Sequence, residues 1–483
     1  MLFNSIDYLI FFPVVVILYF NIPEKWRWAF LLFASYFFYA CWKLEYVVLL
    51  MGTTLIDYFI GLKIEKTSGK KQRKRLLLIS IVVNLGVLAG FKYLNFFGNS
   101  INSAFQFFGY DAGFTVWNIL LPVGISFYVF QSLSYTIDVY RGNSPAEKHL
   151  GKFALYVSFF PQLVAGPIER STSLIPQIHK PLPFSEDRLV SGLKLMLWGF
   201  FKKLVIADRL GMFVSYVYEN PTQHKGITVI LATVLFAFQL YCDFSGYTDI
   251  ARGSARILGY DLMINFNRPL IARSLRDFWN RWHISLTTWF RDYVLYSLPY
   301  IRGNRVVYAL FNLNLVITFL LMGLWHGASW TFVLFGLFHG VFLVLETITE
   351  KSRNRFYEIT GINNHVRFKS ALSIVFTFSL VTLSLYFFRA QTISDSFMLL
   401  NNTFDFSTSR ESLIYMLKNN ELTFGILMII FLLVAEHLHS KNDLVQRIKS
   451  RPLAVRWSLY SGFVFFILIF GVLHQQKFIY FQF

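Results

Sequence analysis

The chain has 483 residues, of which 55% are hydrophobic, 19% aromatic and only 15% charged. A soluble domain has no use for 55 phenylalanines, whereas a lipid-facing exterior does, so the composition points to an all-α polytopic membrane protein and away from a soluble enzyme. The formal net charge of +18 does not indicate nucleic acid, because the Lys and Arg residues sit in short segments between apolar ones, as in cytoplasmic loops.

The first stretch, "MLFNSIDYLIFFPVVVILYF", lacks a basic n-region and a small-residue cleavage site and reads as a first span rather than a removed signal. Further apolar segments follow near 28–41, 46–62, 76–97, 117–139, 189–217, 227–243, 306–322, 328–348, 371–388, 423–438 and 457–475. At about 20 apolar residues per crossing, this predicts roughly 11–13 transmembrane helices in one integral-membrane domain spanning 1–483. The shorter "FALYVSFFPQLVAGP" (153–167) has two prolines and a glycine. It reads as re-entrant or interfacial, a geometry tolerated only where protein or a cavity covers it. The basic segments 63–75, 350–369 and 439–456 are expected in the cytoplasm, and 391–421 and the C-terminal "HQQKFIYFQF" outside. The two cysteines, Cys41 and Cys242, both in apolar stretches, give no disulfide framework or zinc site.

From Asp243 to Arg305 the sequence contains no clean span and nine arginines, from Arg252 to Arg305. Two readings stand open: an interfacial scaffold with snorkelling arginines, or a basic vestibule whose guanidinium forks match the phosphates of a donor. Within this belt lies "FWNRWHISLTTWFRDYV". Helical spacing places Trp279, His283, Leu286 and Phe290 on one face, and Arg281, Ser285, Thr288 and Asp292 on another.

A second histidine, His326, lies in "GLWHGASW" (323–330), far from any charged neighbour. A polar side chain in hydrocarbon costs free energy unless it is paired or lines a cavity. A lone case reads as a packed structural histidine; two, each beside tryptophan, point to a shared site. His339, in "LFHG", is predicted to be packing, because 13 residues along a span separate it from His326. No HExxH or cysteine pair suggests a metal, and no GxSxG elbow suggests a serine hydrolase. What remains is a neutral imidazole, the form able to accept a proton, in a dry site.

Taken together, "FFPQLVAGPIER", "YCDFSGYTDIARGSARILGY", "NFNRPLIARSLRDFWNRWHISLTTWFRDYV" and "GLWHGASW" resemble the membrane-bound O-acyltransferase family, in the branch that O-acetylates alginate and peptidoglycan. The likeness is densest over 120–345. It implies a ring of helices around a central tunnel and catalytic roles for His326 and His283. Trp279, Asn280, Arg281, Trp325, Asp243 and Ser245 are expected along the tunnel or at the donor. The donor implied is acetyl-CoA, as a co-substrate with no bound cofactor or metal. A carrier-protein donor, as in D-alanine export, is the alternative. An SGNH-type extracytoplasmic partner and the bacterial cytoplasmic membrane follow from the same resemblance. A transporter or flippase would also show buried polar groups and re-entrant segments, but it has no need of two tryptophan-flanked histidines.

The C-terminal tail 476–483 ends "KFIYFQF". By composition alone the aromatic tail reads as an interfacial anchor. The resemblance implies more, since the tail is similar to a C-terminal tyrosine motif of this branch. Tyr480, its only hydroxyl, would then accept the acyl group, needing a base such as His326 because a phenol titrates near ~10.

Overall fold

The computed structural model describes every residue except 111–112, 116, 118–119, 165, 300–304, 408–417, 419, 442–449, 473–477 and 480–483, and describes only the backbone of 305–308 and 439–441. Among the described residues, all regular structure is helical. Eight helices are long and apolar enough to cross a membrane by length and composition. The surface is inverted relative to a soluble protein. On helix Leu453–Phe470, Phe465 is 63% exposed and Ile469 70%, which is favourable against lipid and costly in water.

The long helix α12 (Ile227–Ile257) is the axis of the site. Its 31 residues extend about 46 Å at ~1.5 Å per residue, well beyond the ~30 Å hydrocarbon core. The sequence reading ended this span at 243, and that is corrected: the helix continues through "DFSGYTDIARGSARI", mostly buried. Arg252 and Arg256 depress the hydropathy there, but Asp249 lies 3.6 Å from Arg252 and Asp261 3.5 Å from Arg256. Helix α10 (Glu186–Phe200) packs along α12 through glycines; a Cβ on Gly199 would meet the Gly246 carbonyl oxygen at 2.6 Å.

Helices α15 (Arg305–His326) and α16 (Trp330–Ile348) form a hairpin. They cross at Gly323 and Gly336, whose added Cβ atoms would stand 2.2 Å from a backbone carbonyl oxygen of the other helix. Helix α18 (Val366–Arg389) completes the wall facing α12. The segment 153–167 forms two short helices, Leu150–Ser158 and Phe160–Leu163, with buried side chains. The break between them at Phe159 is covered by protein.

Side chains tie the loops together at each end of the bundle. At one end Arg73 reaches the Val139 and Tyr140 carbonyls, Arg141 reaches the Asp292 carbonyl, and Arg276 reaches Thr347. At the other end Asn402 bonds the carbonyls of Pro221 and His224.

Two π-helical turns interrupt the bundle: Ala89–Tyr93, between α4 (Lys70–Leu88) and α5 (Leu94–Phe107), and Phe201–Ala207, between α10 and α11 (Asp208–Tyr218). Such turns re-aim side chains at the expense of regular hydrogen bonding and favour functional sites. Here both carry lysines: Lys92 in the first, Lys202 and Lys203 in the second.

Candidate active site

His326 is the last residue of α15 and is 3% exposed. A helix end leaves carbonyls without partners, and inside a membrane these must be met by protein. The π-turn meets them: the Lys92 ammonium donates to the carbonyls of Trp325 (2.6 Å) and His326 (3.2 Å), and the Tyr93 hydroxyl donates to that of Leu324 (2.9 Å). A cation at a helix C-terminus also opposes the negative end of its dipole. The glycine of the "WHG" element is required by packing, since a Cβ on Gly327 would lie 2.1 Å from the Phe332 ring. Around the imidazole stand Trp325 (5.2 Å between ring centres), Phe388 (5.4 Å) and Phe335 (5.9 Å).

A cavity of about 20 Å³, room for one water, is lined by His326, His339, Trp282, Phe278, Phe388 and residues Ala237 and Leu240 of α12, among others. Ala237 lies ten residues, or about 15 Å, into α12. The cavity therefore sits within the thickness of the bundle although α15 has run its full length.

The cavity also corrects the reading of His339. Because the chain reverses at Gly327–Ser329, His339 shares this cavity with His326 instead of standing far away. It accepts from Trp279 Nε1 (3.3 Å) through Nδ1 and meets Ser384 Oγ through Nε2 (2.9 Å).

His283 does not continue a helix from Trp279, and the shared face predicted for residues 279–290 is corrected. The chain turns after α13 (Leu275–Trp279), and His283 adopts φ +44°, a left-handed conformation, before α14 (Ile284–Tyr293) begins. Such backbone costs energy for a non-glycine residue and needs surrounding support. Asn265 supplies it. Its carbonyl accepts the Ile284 amide (3.0 Å), and its Oδ1 accepts both the amide (3.1 Å) and hydroxyl (2.9 Å) of Ser285. The same Oδ1 lies 3.2 Å from His283 Nδ1.

Because the Ser285 amide can only donate, Oδ1 is the acceptor and His283 Nδ1 carries the proton. A neutral His283 therefore presents Nε2 as its basic nitrogen. Asn265 is in turn held by its own strand of chain, where buried Glu169 accepts the Met263 amide. Burial raises the Glu169 carboxyl to about 7.

Sequence reasoning quoted the segment containing Asn265 but missed its role, as it missed Lys92. Replacing Asn265 by alanine is expected to lower turnover about 10²-fold with little change in donor KM, since small displacements of a reacting group cost that much. Steady-state kinetics on the variant, with Asn265→Asp as the acceptor-retaining control, checks this.

The two histidines are joined by aromatic rings. Trp325 lies 5.8 Å from His283 and 5.2 Å from His326. From Trp325 a column runs to Phe130 (5.7 Å), Trp289 (3.8 Å, stacked) and Tyr293 (5.3 Å). It ends at an open pocket of about 430 Å³ lined by Asp138, Arg141, Asn143, Asp292, Tyr293 and Tyr296. Arg170 stacks over the Tyr293 ring at 4.6 Å.

The other residues expected at the tunnel are spread more widely. Asn280 is exposed, and Arg281 is tied to Asp277 at 2.6 Å; neither lines the cavity. Ser245 accepts from Lys202 (2.9 Å), and Asp243 lies 2.5 Å from the Lys203 ammonium. Both belong to a charged cluster on α12, one helical position from Phe244, whose ring meets His283 edge-on at 4.6 Å. Tyr480 and Arg302 lie outside the described residues.

The family model described as MBOAT, membrane-bound O-acyltransferase family, matches residues 145–388. The chain is 39% identical over 440 residues to the probable alginate O-acetylase of Pseudomonas aeruginosa, covering 90% of this chain and 81% of that one. It is 31% identical to the peptidoglycan O-acetyltransferase of Helicobacter pylori over 78% of this chain and 73% of that one. With the teichoic acid D-alanyltransferase of Bacillus subtilis it shares 30% identity over 57% of this chain and 70% of that one.

Proposed function

Since the chain belongs to the membrane-bound O-acyltransferase family and is a multi-pass membrane acyltransferase, we propose that it passes an acetyl group from cytosolic acetyl-CoA through the bacterial cytoplasmic membrane to an extracytoplasmic polysaccharide. The observation behind this reading is the buried cavity at His326, with His283 held in a defined tautomer across Trp325. Acetyl-CoA carries phosphates that cannot cross hydrocarbon, and a polysaccharide cannot enter it. Only the acyl group need travel.

The donor's mouth is the 430 Å³ pocket at the Arg141 end of the bundle, the end that also holds Arg73. The Lys and Arg of segments 63–75 and 350–369 support assigning that end to the cytoplasm. Arg141 lines the pocket beside Asp138 and Asp292; Arg170, 3.5 Å from Asp292, stands over the Tyr293 ring, and the aromatic column gives the donor's thioester arm an apolar path inward.

At the cavity His326 acts as base. It takes the Tyr480 phenol proton as the phenol oxygen bonds to the acyl carbon and the C–S bond breaks, and the proton leaves with the departing thiol. In the resulting aryl ester the leaving group is a phenoxide, which departs more readily than a serine alkoxide and suits onward transfer of the acyl group to the serine of an SGNH-type partner outside. The similarity to alginate and peptidoglycan O-acetyltransferases extends over more of the chain than that to the D-alanyltransferase. Acetyl-CoA is the donor of this reading, and a carrier protein is the alternative that the test below separates.

The test is CoA release by the purified protein in nanodiscs supplied with acetyl-CoA. Free CoA is expected to compete, and binding should weaken with rising salt as phosphate–guanidinium attraction is screened over about 8–10 Å. Turnover of an acetylated carrier protein with indifference to CoA would replace acetyl-CoA as donor. Consumption of neither thioester would overturn the proposal.

A further inference from the structure

The charged cluster on α12 takes no part in the chemistry above, yet it is among the most buried polar groups of the chain. Lys203 (1% exposed) stands 2.7 Å from Asp208 (3%) and 2.5 Å from Asp243 (2%), near the middle of a membrane-length helix. Ionised groups at such depth are costly and mark functional positions. Asp243 divides its carboxylate: Oδ1 faces the Lys203 ammonium, and Oδ2 accepts the backbone amide of Ile479 at 2.8 Å.

The C-terminal segment meets the second π-turn region at two further points. The Arg209 guanidinium donates to the Phe470 carbonyl (2.5 Å), and the Val472 amide donates to the Leu204 carbonyl (3.0 Å). Farther on, Phe478 is fully buried, stacked on Tyr247 at 4.4 Å and edge-on to Phe244 at 5.5 Å. Phe244 is the ring that meets His283. An interfacial anchor would leave these residues at the rim; instead Phe478 and Ile479 are packed inside, one aromatic ring from the site.

We infer that Asp243, paired with Lys203, is a positioning residue that seats the C-terminal segment by its Ile479 amide. The attachment point of Tyr480 is thereby fixed beside the His283–Phe244 wall. This rests on the acyl-relay reading above. A carboxylate accepting an N–H is a charge-assisted hydrogen bond, worth roughly 10-fold or more in occupancy of the seat.

Ile479→Pro removes the amide hydrogen that Asp243 accepts, together with the isoleucine side chain; Ile479→Ala loses the side chain but keeps that hydrogen, so the pair isolates the seat. A benzoylphenylalanine photo-cross-linker is placed at residue 478 of the full chain in nanodiscs. Capture on the α12 peptide containing Tyr247 is expected, unchanged by Ile479→Ala and lowered at least about 10-fold by Ile479→Pro. The same variant should lose turnover to a similar degree with an unchanged KM for acetyl-CoA. The triple variant Lys203→Met/Asp208→Asn/Asp243→Leu removes the seat without leaving a member of the cluster charged and unpaired and, where it purifies as a monodisperse protein, should match Ile479→Pro.

Undiminished cross-linking in Ile479→Pro would overturn the seat whatever Tyr480 does. Cross-linking lost with wild-type turnover would overturn its positioning role. Loss of both, alongside an active Tyr480→Phe, would leave the seat standing and remove the tyrosine relay instead.

Discussion

His326→Ala is expected to lower acyl transfer by about 10²–10⁴-fold, the usual effect of removing a general base, while the protein remains folded. The second half of that statement follows from the local structure. The end of α15 is fixed through backbone carbonyls by Lys92 and Tyr93, and its crossing with α16 by Gly323 and Gly336; none of these uses the imidazole. CoA release by the monodisperse variant checks it. Wild-type turnover would make His326 a packing residue among Trp325, Phe335 and Phe388.

The second large effect concerns Tyr480→Phe. This change keeps an aromatic ring and removes only a hydroxyl, so it separates a covalent carrier from an interfacial anchor. Acetylation of the polysaccharide should disappear while acetyl-CoA still binds with its normal affinity, because the proposed donor pocket at Asp138 and Arg141 lies along a different part of the bundle from Phe478 and Ile479. Polysaccharide acetylation assayed in cells and donor binding assayed on purified protein give the two halves. Normal acetylation would leave Tyr480 as an anchor.

Much of this was legible in the sequence, and the failures have identifiable physical causes. His326 stood out because an ionisable side chain is expensive in apolar sequence, and His283 because it too lies beside tryptophan; the structure buries both. His339 was misplaced because distance was measured along the chain, whereas the hairpin at Gly327–Ser329 folds α16 back beside α15. The end of α12 was misread because hydropathy registers Arg252 and Arg256 without their carboxylate neighbours Asp249 and Asp261.

The predicted helical face around His283 failed at one residue, where a left-handed φ sustained by Asn265 breaks the period. That contact spans 18 positions and has no signature in local periodicity. Lys92 was hidden in the same way, since its bonds to Trp325 and His326 join segments more than 230 residues apart. Local pattern exposes costly residues; it does not identify the distant groups that offset the cost.

The most direct measurement of the central claim uses acetyl-CoA labelled in its acetyl group, purified protein in nanodiscs, and mass spectrometry of the C-terminal peptide after rapid acid quench. The account predicts an acetyl label on Tyr480 in the wild-type chain and none in His326→Ala. A wild-type chain that releases CoA and acetylates its acceptor without labelling that peptide, under conditions that preserve aryl esters, would contradict it.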